Sequence, residues 1–323
     1  MVAAVEKRVA FLFPGQGSQT VNMGRDLYEV PVAREVFDTA DRALGFSLSR
    51  IILDGPAATL DDTENAQPAI LTVSIAALLA LQEQVGIRPA VVAGHSLGEY
   101  SALVCCGSLE LVDALLLVRE RGRLMKVAGA SNPGGMVAIL GLESDRVNAL
   151  CSQVQRKTGQ VVQVANDNCP GQVVVSGSRD ALLRLMATAS DAGAKKVVPL
   201  QVTIAAHSAL MQQASAAFSC AVDGADIRPP RIPVIGNVQA QPLVGVTAIR
   251  EELVAQLTQS VKWTQTVQWI LAQGVVALVE IGPGDVLTGL AKRIDRQVRR
   301  FNLQHLPDIS EFLNWVQAGG GVE

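Results

Sequence analysis

The stretch PAVVAGHSLGEYSALVCC, residues 89–106, decides how this chain is read. An apolar, β-rich run, PAVVA, enters Gly94-His95-Ser96-Leu97-Gly98, and a helical pattern then continues until Gly107 stops it. Strand, G-x-S-x-G and helix in that order form the context of a nucleophile elbow, because the flanking glycines let a strained turn lift the serine hydroxyl above a sheet. The bland alternative is a strand-to-helix turn with a serine cap. Ser96 therefore stands as a candidate nucleophile that needs a base. The same turn sets the N–H of Leu97 at a helix N-terminus, where a developing oxyanion is stabilised.

Outward from this segment the alternation repeats. RVAFLF (8–13) and VVALVEI (275–281) are further apolar runs that end at glycine or proline and lead into helix-like sequence. Such alternation predicts an α/β fold with a parallel sheet and a site at the C-terminal ends of its strands. From about 130 to 198 the pattern changes to short strands, GGMVAILGL, QVVQVANDN and GQVVVSG, interleaved with polar helices such as SRDALLRLMATASDAGA. A chain of 323 residues exceeds the size at which one core usually stops growing. Residues 1–129 and 199–323 are accordingly expected to form a large domain, with 130–198 as a small inserted subdomain. Low-complexity sequence is confined to AGGG at 318–321.

A serine hydroxyl needs a base, and the chain has only three histidines, His95, His207 and His305. His95 adjoins the nucleophile, and neighbouring side chains at an extended strand end point to opposite sides, so it reads as a packing residue. His305 lies among surface-like residues in NLQHLPD. His207 follows an apolar stretch and sits among the small residues Ala205, Ala206 and Ser208, where an acyl group has room to approach. It is the expected base.

The segment SLELVDALLLVRERGRLMKVAGA reads as one helix from the cap Ser108 to about Ala128. At 3.6 residues per turn, Ala114, Leu117, Val118, Leu124, Met125 and Ala128 share a stripe, and Arg121 falls at its centre. A buried guanidinium keeps its proton and needs an anionic partner, either an internal carboxylate or one brought by the substrate. Its planar fork suits the second.

Composition narrows the remaining classes. A net charge of −3 gives no general attraction to nucleic acid or to an anionic membrane. The longest apolar run, AILTVSIAALLAL at 69–81, is shorter than the roughly 20 residues of a bilayer span, so no membrane partner is expected. Glu6, Lys7 and Arg8 precede only five apolar residues before Pro14-Gly15, too short a run for a signal peptide, and a cytoplasmic protein is expected. Five cysteines without paired spacing read as reduced thiols, and neither they nor the scattered histidines suggest a metal. AKRIDRQVRR (291–300) places Lys292, Arg296 and Arg299 on one helical face, a possible basic patch for an acidic partner.

Taken together, FPGQGSQ (13–19), GHSLGEYSALVCCG (94–107), RERGRLM (119–125), NDNCPGQVVVSG (166–177), AAHSALM (205–211) and EIGPGDVLTGL (280–290) closely resemble the malonyl-CoA:acyl carrier protein transacylase family of fatty-acid synthesis. The match runs in order from about residue 8 to 300. The resemblance implies an α/β-hydrolase-like parallel sheet with an inserted ferredoxin-like small subdomain, and ping-pong transfer of malonyl from malonyl-CoA to the phosphopantetheine thiol of acyl carrier protein, with no cofactor, by a monomer. It implies Ser96 as the acylated nucleophile, His207 as general base and acid, and Arg121 as the clamp on the malonyl carboxylate. Gln16 and Leu97 match the two backbone oxyanion donors, and Gln256, in VAQL, matches the residue whose main-chain carbonyl orients the histidine. That last match accounts for the lack of a conspicuous triad carboxylate. The family pattern is broken just before the base, where Ile204-Ala205-Ala206 replaces the usual Val-Pro-Ser, which puts strict rejection of an α-methyl substrate in question. A discrete acyltransferase serving a polyketide synthase and a serine thioesterase or esterase are the alternatives.

Overall fold

The computed structural model describes residues 5–320, without the side chains of 5–7; the side chains of Glu6 and Lys7 of the leader reading, Gly321 of the glycine tail and the two outermost ends of the large-domain boundaries fall outside that description. Five strands, β1 (Val5–Phe13), β2 (Ile87–Gly94), β7 (Val234–Ile235), β8 (Ala277–Ile281) and β9 (Arg299–Leu303), form one sheet in the order β7-β2-β1-β8-β9. Every pairing in it is parallel. Residues 9–13 of β1 are wholly buried, which is why they read as an unbroken apolar run: helices cover both faces of the sheet.

A second sheet lies between Ser131 and Leu200. Its strands, β3 (Gly134–Leu140), β4 (Val162–Cys169), β5 (Gln172–Ser178) and β6 (Lys196–Pro199), pair antiparallel in the order β4-β5-β3-β6. With the crossing helices Ser144–Thr158 and Arg179–Asp191, this is the βαββαβ arrangement of a ferredoxin-like unit. Its own core, built on Val137, Ile139, Leu150, Val173, Val175 and Leu185, is separate from that of the large sheet.

The helix Thr63–Gln84 is longer than the apolar run read from sequence, and by length and composition it is the one helix among the described residues able to cross a membrane. It is instead central to the core: 83% of its apolar window is buried inside the protein. One buried charge sits in β8. The Glu280 carboxylate accepts the amide hydrogens of Leu287 and Thr288 (3.0 and 2.7 Å) at the start of the helix Val286–Ile294, and burial pushes its carboxyl up to about 7 against the pull of those amides.

Two boundaries differ from the sequence reading. The arginine-bearing helix spans Leu111–Ser131 rather than starting at Ser108, because Gly107 turns left-handed (φ 74°) and the Ser108 hydroxyl pairs with the Cys106 thiol at 3.2 Å instead of capping. The basic stretch 291–300 is not one helical face. Its helix ends at Ile294, where Asp295 Oδ1 accepts from the amides of Gln297 and Val298 and so competes with helix continuation. Lys292 is thus helical, Arg296 lies in the turn, and Arg299 sits on β9 with its guanidinium over the rings of Phe301 and Trp315.

Candidate active site

The site begins at the end of β2. Ser96 adopts φ 52°, the left-handed conformation that a non-glycine residue holds only when its surroundings enforce it. The enforcement is close packing. A Cβ on Gly94 would lie 1.9 Å from the carbonyl carbon of Gly98, and one on Gly98 would lie 2.0 Å from the Phe13 oxygen, so both glycines of the motif are needed for strand, turn and helix to nest. Asn237 closes the turn from the other side. Its Oδ1 accepts from the Ser96 amide at 2.7 Å and its Nδ2 donates to the Gly94 oxygen at 2.8 Å. Sequence reasoning missed this residue: it follows the short strand β7, which pairs with β2 through Val92–Val234 and Ala93–Ile235, a pairing that no local pattern announces.

His207 meets Ser96 across 111 positions of chain: its Nε2 lies 2.9 Å from Ser96 Oγ. Its Nδ1 lies 2.6 Å from the main-chain oxygen of Gln256. A carbonyl only accepts, so Nδ1 carries the hydrogen and Nε2 presents its lone pair to the hydroxyl. The imidazole is buried, and burial, reinforced by the positive charge of Arg121, pushes it down to about 3. It is therefore neutral and ready to accept a proton. His207 also has a left-handed backbone (φ 59°), gripped by the second sheet: Ser176 Oγ donates to the Ala206 oxygen, and Gln163 Nε2 donates to the His207 oxygen at 3.2 Å.

The other histidines lie elsewhere. His95 Nε2 pairs with Asn168 Oδ1 at 2.9 Å and its ring meets Trp263 edge-on at 5.4 Å. His305 is exposed, 3.3 Å from Asp26, at the start of the helix Leu306–Gln317.

Arg121 is 2% exposed and converges on the same hydroxyl. Its Nη2 donates to Ser96 Oγ (3.1 Å) and to Gln256 Oε1 (2.8 Å), and its Nη1 donates to Gln67 Oε1 at 2.8 Å. Its buried Nε has no acceptor among the described residues. All of these partners are neutral. The nearest carboxyl in the network, Glu99, is one residue removed, accepting from Gln256 Nε2 at 2.5 Å. Burial, with the neighbouring Glu252 carboxyl, holds the Glu99 carboxyl well above the usual carboxylate range. Of the two partners open to this guanidinium from sequence, an internal carboxylate is thus not in contact with it, and a buried cation with only neutral acceptors is primed for an incoming anion.

The remaining candidates lie beside the serine. Leu97 is fully buried and leads directly into the helix Gly98–Cys105. Gln16 is exposed in the loop after β1; that loop lies against the elbow, since a Cβ on Gly15 would sit 2.4 Å from the His95 oxygen and the His95 amide donates to the Phe13 oxygen at 3.0 Å. Among the described residues neither the Leu97 nor the Gln16 amide is paired with a protein acceptor. A hydroxyl facing an imidazole held in one tautomer, nearby backbone amides and a cationic fork bonded only to neutral groups form an arrangement suited to acyl transfer from a substrate carrying a carboxylate.

Comparison with known proteins agrees with this chemistry. The model of the acyl transferase domain family matches residues 10–304. The malonyl CoA-acyl carrier protein transacylase of Bacillus subtilis (strain 168) is 44% identical over 293 residues, covering 90% of this chain and 92% of the relative. The crystal structure of FabD from Acinetobacter baumannii superposes with a TM-score of 0.93 at 42% identity, over 98% of this chain and 100% of the other. A malonyl-transacylase solved in complex with its type II polyketide synthase acyl-carrier protein superposes with a TM-score of 0.92 at 40% identity, over 95% and 99% of the two chains.

Proposed function

The chain belongs to the acyl transferase domain family, and from that membership we propose that it moves malonyl from coenzyme A to the phosphopantetheine thiol of acyl carrier protein, supplying fatty-acid elongation. The observation that carries this reading is the convergence of His207 and Arg121 on Ser96 Oγ, each within hydrogen-bonding distance of it. In the first half-reaction His207 Nε2 takes the Ser96 proton as Oγ attacks the thioester, and the amides of Gln16 and Leu97 hold the resulting oxyanion. The imidazolium then protonates the departing coenzyme A thiolate. In the second half-reaction the carrier thiol gives its proton to His207 and attacks the malonyl ester, and the imidazolium returns that proton to Ser96 Oγ as it leaves.

Arg121 holds the malonyl carboxylate throughout. Its unoccupied Nε and its Nη2 lie along the same edge of the guanidinium, so a carboxylate gripped by both displaces the Nη2 hydrogen bond from Ser96 Oγ and leaves the hydroxyl to His207. All the reacting groups come from one copy of the chain. The reading is that of a monomeric cytoplasmic enzyme with no cofactor and no nucleic-acid or membrane partner.

The depressed basicity of His207 has a kinetic signature. Because the free enzyme protonates this base only near pH 3, kcat/KM for malonyl loading is expected to stay level as pH falls through 6.5, and the acid limb to lie below about pH 5. Rapid-quench loading between pH 5 and 8 measures it, and a limb centred near 6.5 would contradict the assignment.

Small residues line the approach to the base, with Ala205 and Ala206 both buried. One methyl in an apolar pocket discriminates by only about 1–3 kcal/mol, so methylmalonyl is expected to be disfavoured by roughly 10- to 200-fold rather than refused. The deciding experiment offers malonyl-, methylmalonyl- and acetyl-CoA together, with and without carrier protein, and weighs the acceptor by mass spectrometry. Malonyl on the carrier is the expected product; hydrolysis unstimulated by the carrier would make the protein a thioesterase.

A further inference from the structure

Between Arg121 and the Gln16 loop runs a chain of hydrogen bonds that the acyl-transfer mechanism does not use. Arg121 Nη1 donates to Gln67 Oε1 (2.8 Å), Gln67 Nε2 donates to Thr63 Oγ1 (2.9 Å), and Thr63 Oγ1 donates to Gln16 Oε1 (2.8 Å). The first link fixes the direction of the second, and the Thr63 hydrogen completes the third. A guanidinium has no acceptor, so the amide oxygen of Gln67 must face it. The amide nitrogen of Gln67 then points at Thr63, whose single hydrogen is left for Gln16. Gln67 and Thr63 are both buried, and buried polar groups in such a chain gain strength only when every member is satisfied. The two helices approach closely enough for this because residue 122 is glycine: a Cβ there would lie 2.7 Å from the Thr63 oxygen.

We propose that Thr63 and Gln67 are positioning residues that tie the loop carrying the Gln16 amide to the guanidinium of Arg121, so that the group receiving the substrate carboxylate also sets the oxyanion donor. A second tether supports the same loop, since Gln19 Nε2 donates to Asp61 Oδ1 at 3.0 Å. The proposal rests on the acyl-transfer reading and concerns how its parts are held in register. Thr63 touches neither the thioester nor the carboxylate, so its contribution falls on the chemical step.

The test is Thr63→Val, which keeps the shape and removes the hydroxyl, beside Thr63→Ser, which returns it. Acylation of Ser96 is followed by protein mass with malonyl-CoA and, separately, with p-nitrophenyl acetate, because the same oxyanion amides serve both. Removing an oxyanion donor outright costs about 100- to 1,000-fold, so its displacement in T63V is expected to lower kcat about ten-fold on either substrate, with KM for malonyl-CoA within about two-fold of wild type. T63S is expected to recover most of the loss. Unchanged kcat in T63V, or a loss that T63S fails to recover, overturns the proposal. If the wild-type protein acylates only with the nitrophenyl ester, the malonyl reading fails while the comparison of variants on that ester still decides the role of Thr63.

Discussion

Ser96→Ala is expected to lower malonyl transfer by on the order of 10⁶-fold, the loss seen when a serine nucleophile is removed from a site whose base and oxyanion donors are left in place. The substitution leaves the pocket almost unchanged in shape. Alanine adopts the left-handed turn no less readily than serine, and the Asn237 side chain still holds the backbone of residue 96. What disappears is the atom that His207 faces at 2.9 Å. Intact-mass analysis after incubation with malonyl-CoA should show wild-type protein heavier by one malonyl group and the variant unmodified. A labelled variant would move the nucleophile to another residue and dismantle the ping-pong scheme. Residual turnover without labelling would reflect what the oxyanion amides and binding alone supply.

Arg121→Ala is expected to have the second largest effect, and a selective one. Hydrogen bonds to a charged group contribute about 1.5–3 kcal/mol each, so losing a two-pronged grip on the malonyl carboxylate should reduce kcat/KM for malonyl-CoA by roughly 10²- to 10⁴-fold. Acetyl-CoA has no such carboxylate. For it, the variant removes the positive charge that depresses His207 and the Nη2 hydrogen bond that occupies Ser96 Oγ, so acetyl transfer is expected to hold or rise. Parallel measurement of kcat/KM for the two thioesters checks this. Equal losses on both would mean that the arginine only supports the pocket. Arg121→Lys retains a charge without the planar fork, and should recover less malonyl activity than charge alone predicts.

How much of this was readable beforehand depended on how each residue acts. Ser96 was legible because its turn has a stereochemical signature, and His207 because the chain contains so few histidines. Arg121 was legible from periodicity, since a cation on an apolar stripe has to be explained. Gln256 acts on His207 through its carbonyl, which every residue possesses, so only resemblance pointed to it. Asn237 and Thr63 were not found because each braces a group distant in sequence, Ser96 in one case and Gln16 in the other, and short-range patterns carry no record of such contacts. The parallel sheet followed from its buried runs. The end of the helix at Ile294 did not, because an Asx turn at Asp295 and pairing of β9 with β8 outweighed a sequence that also suits a helix.

The grip of the second sheet on the His207 loop bears on how this enzyme can be re-engineered. Gln163 and Ser176 belong to β4 and β5, yet they fasten the very peptide units that fix the direction of the imidazole. A chimera that imports this sheet from a relative would also replace the side chains that hold the backbone of residue 207. The second sheet is therefore not a module that can be exchanged independently of the site. A donor sheet lacking an amide at 163 or a hydroxyl at 176 is expected to leave the imidazole of residue 207 misaimed.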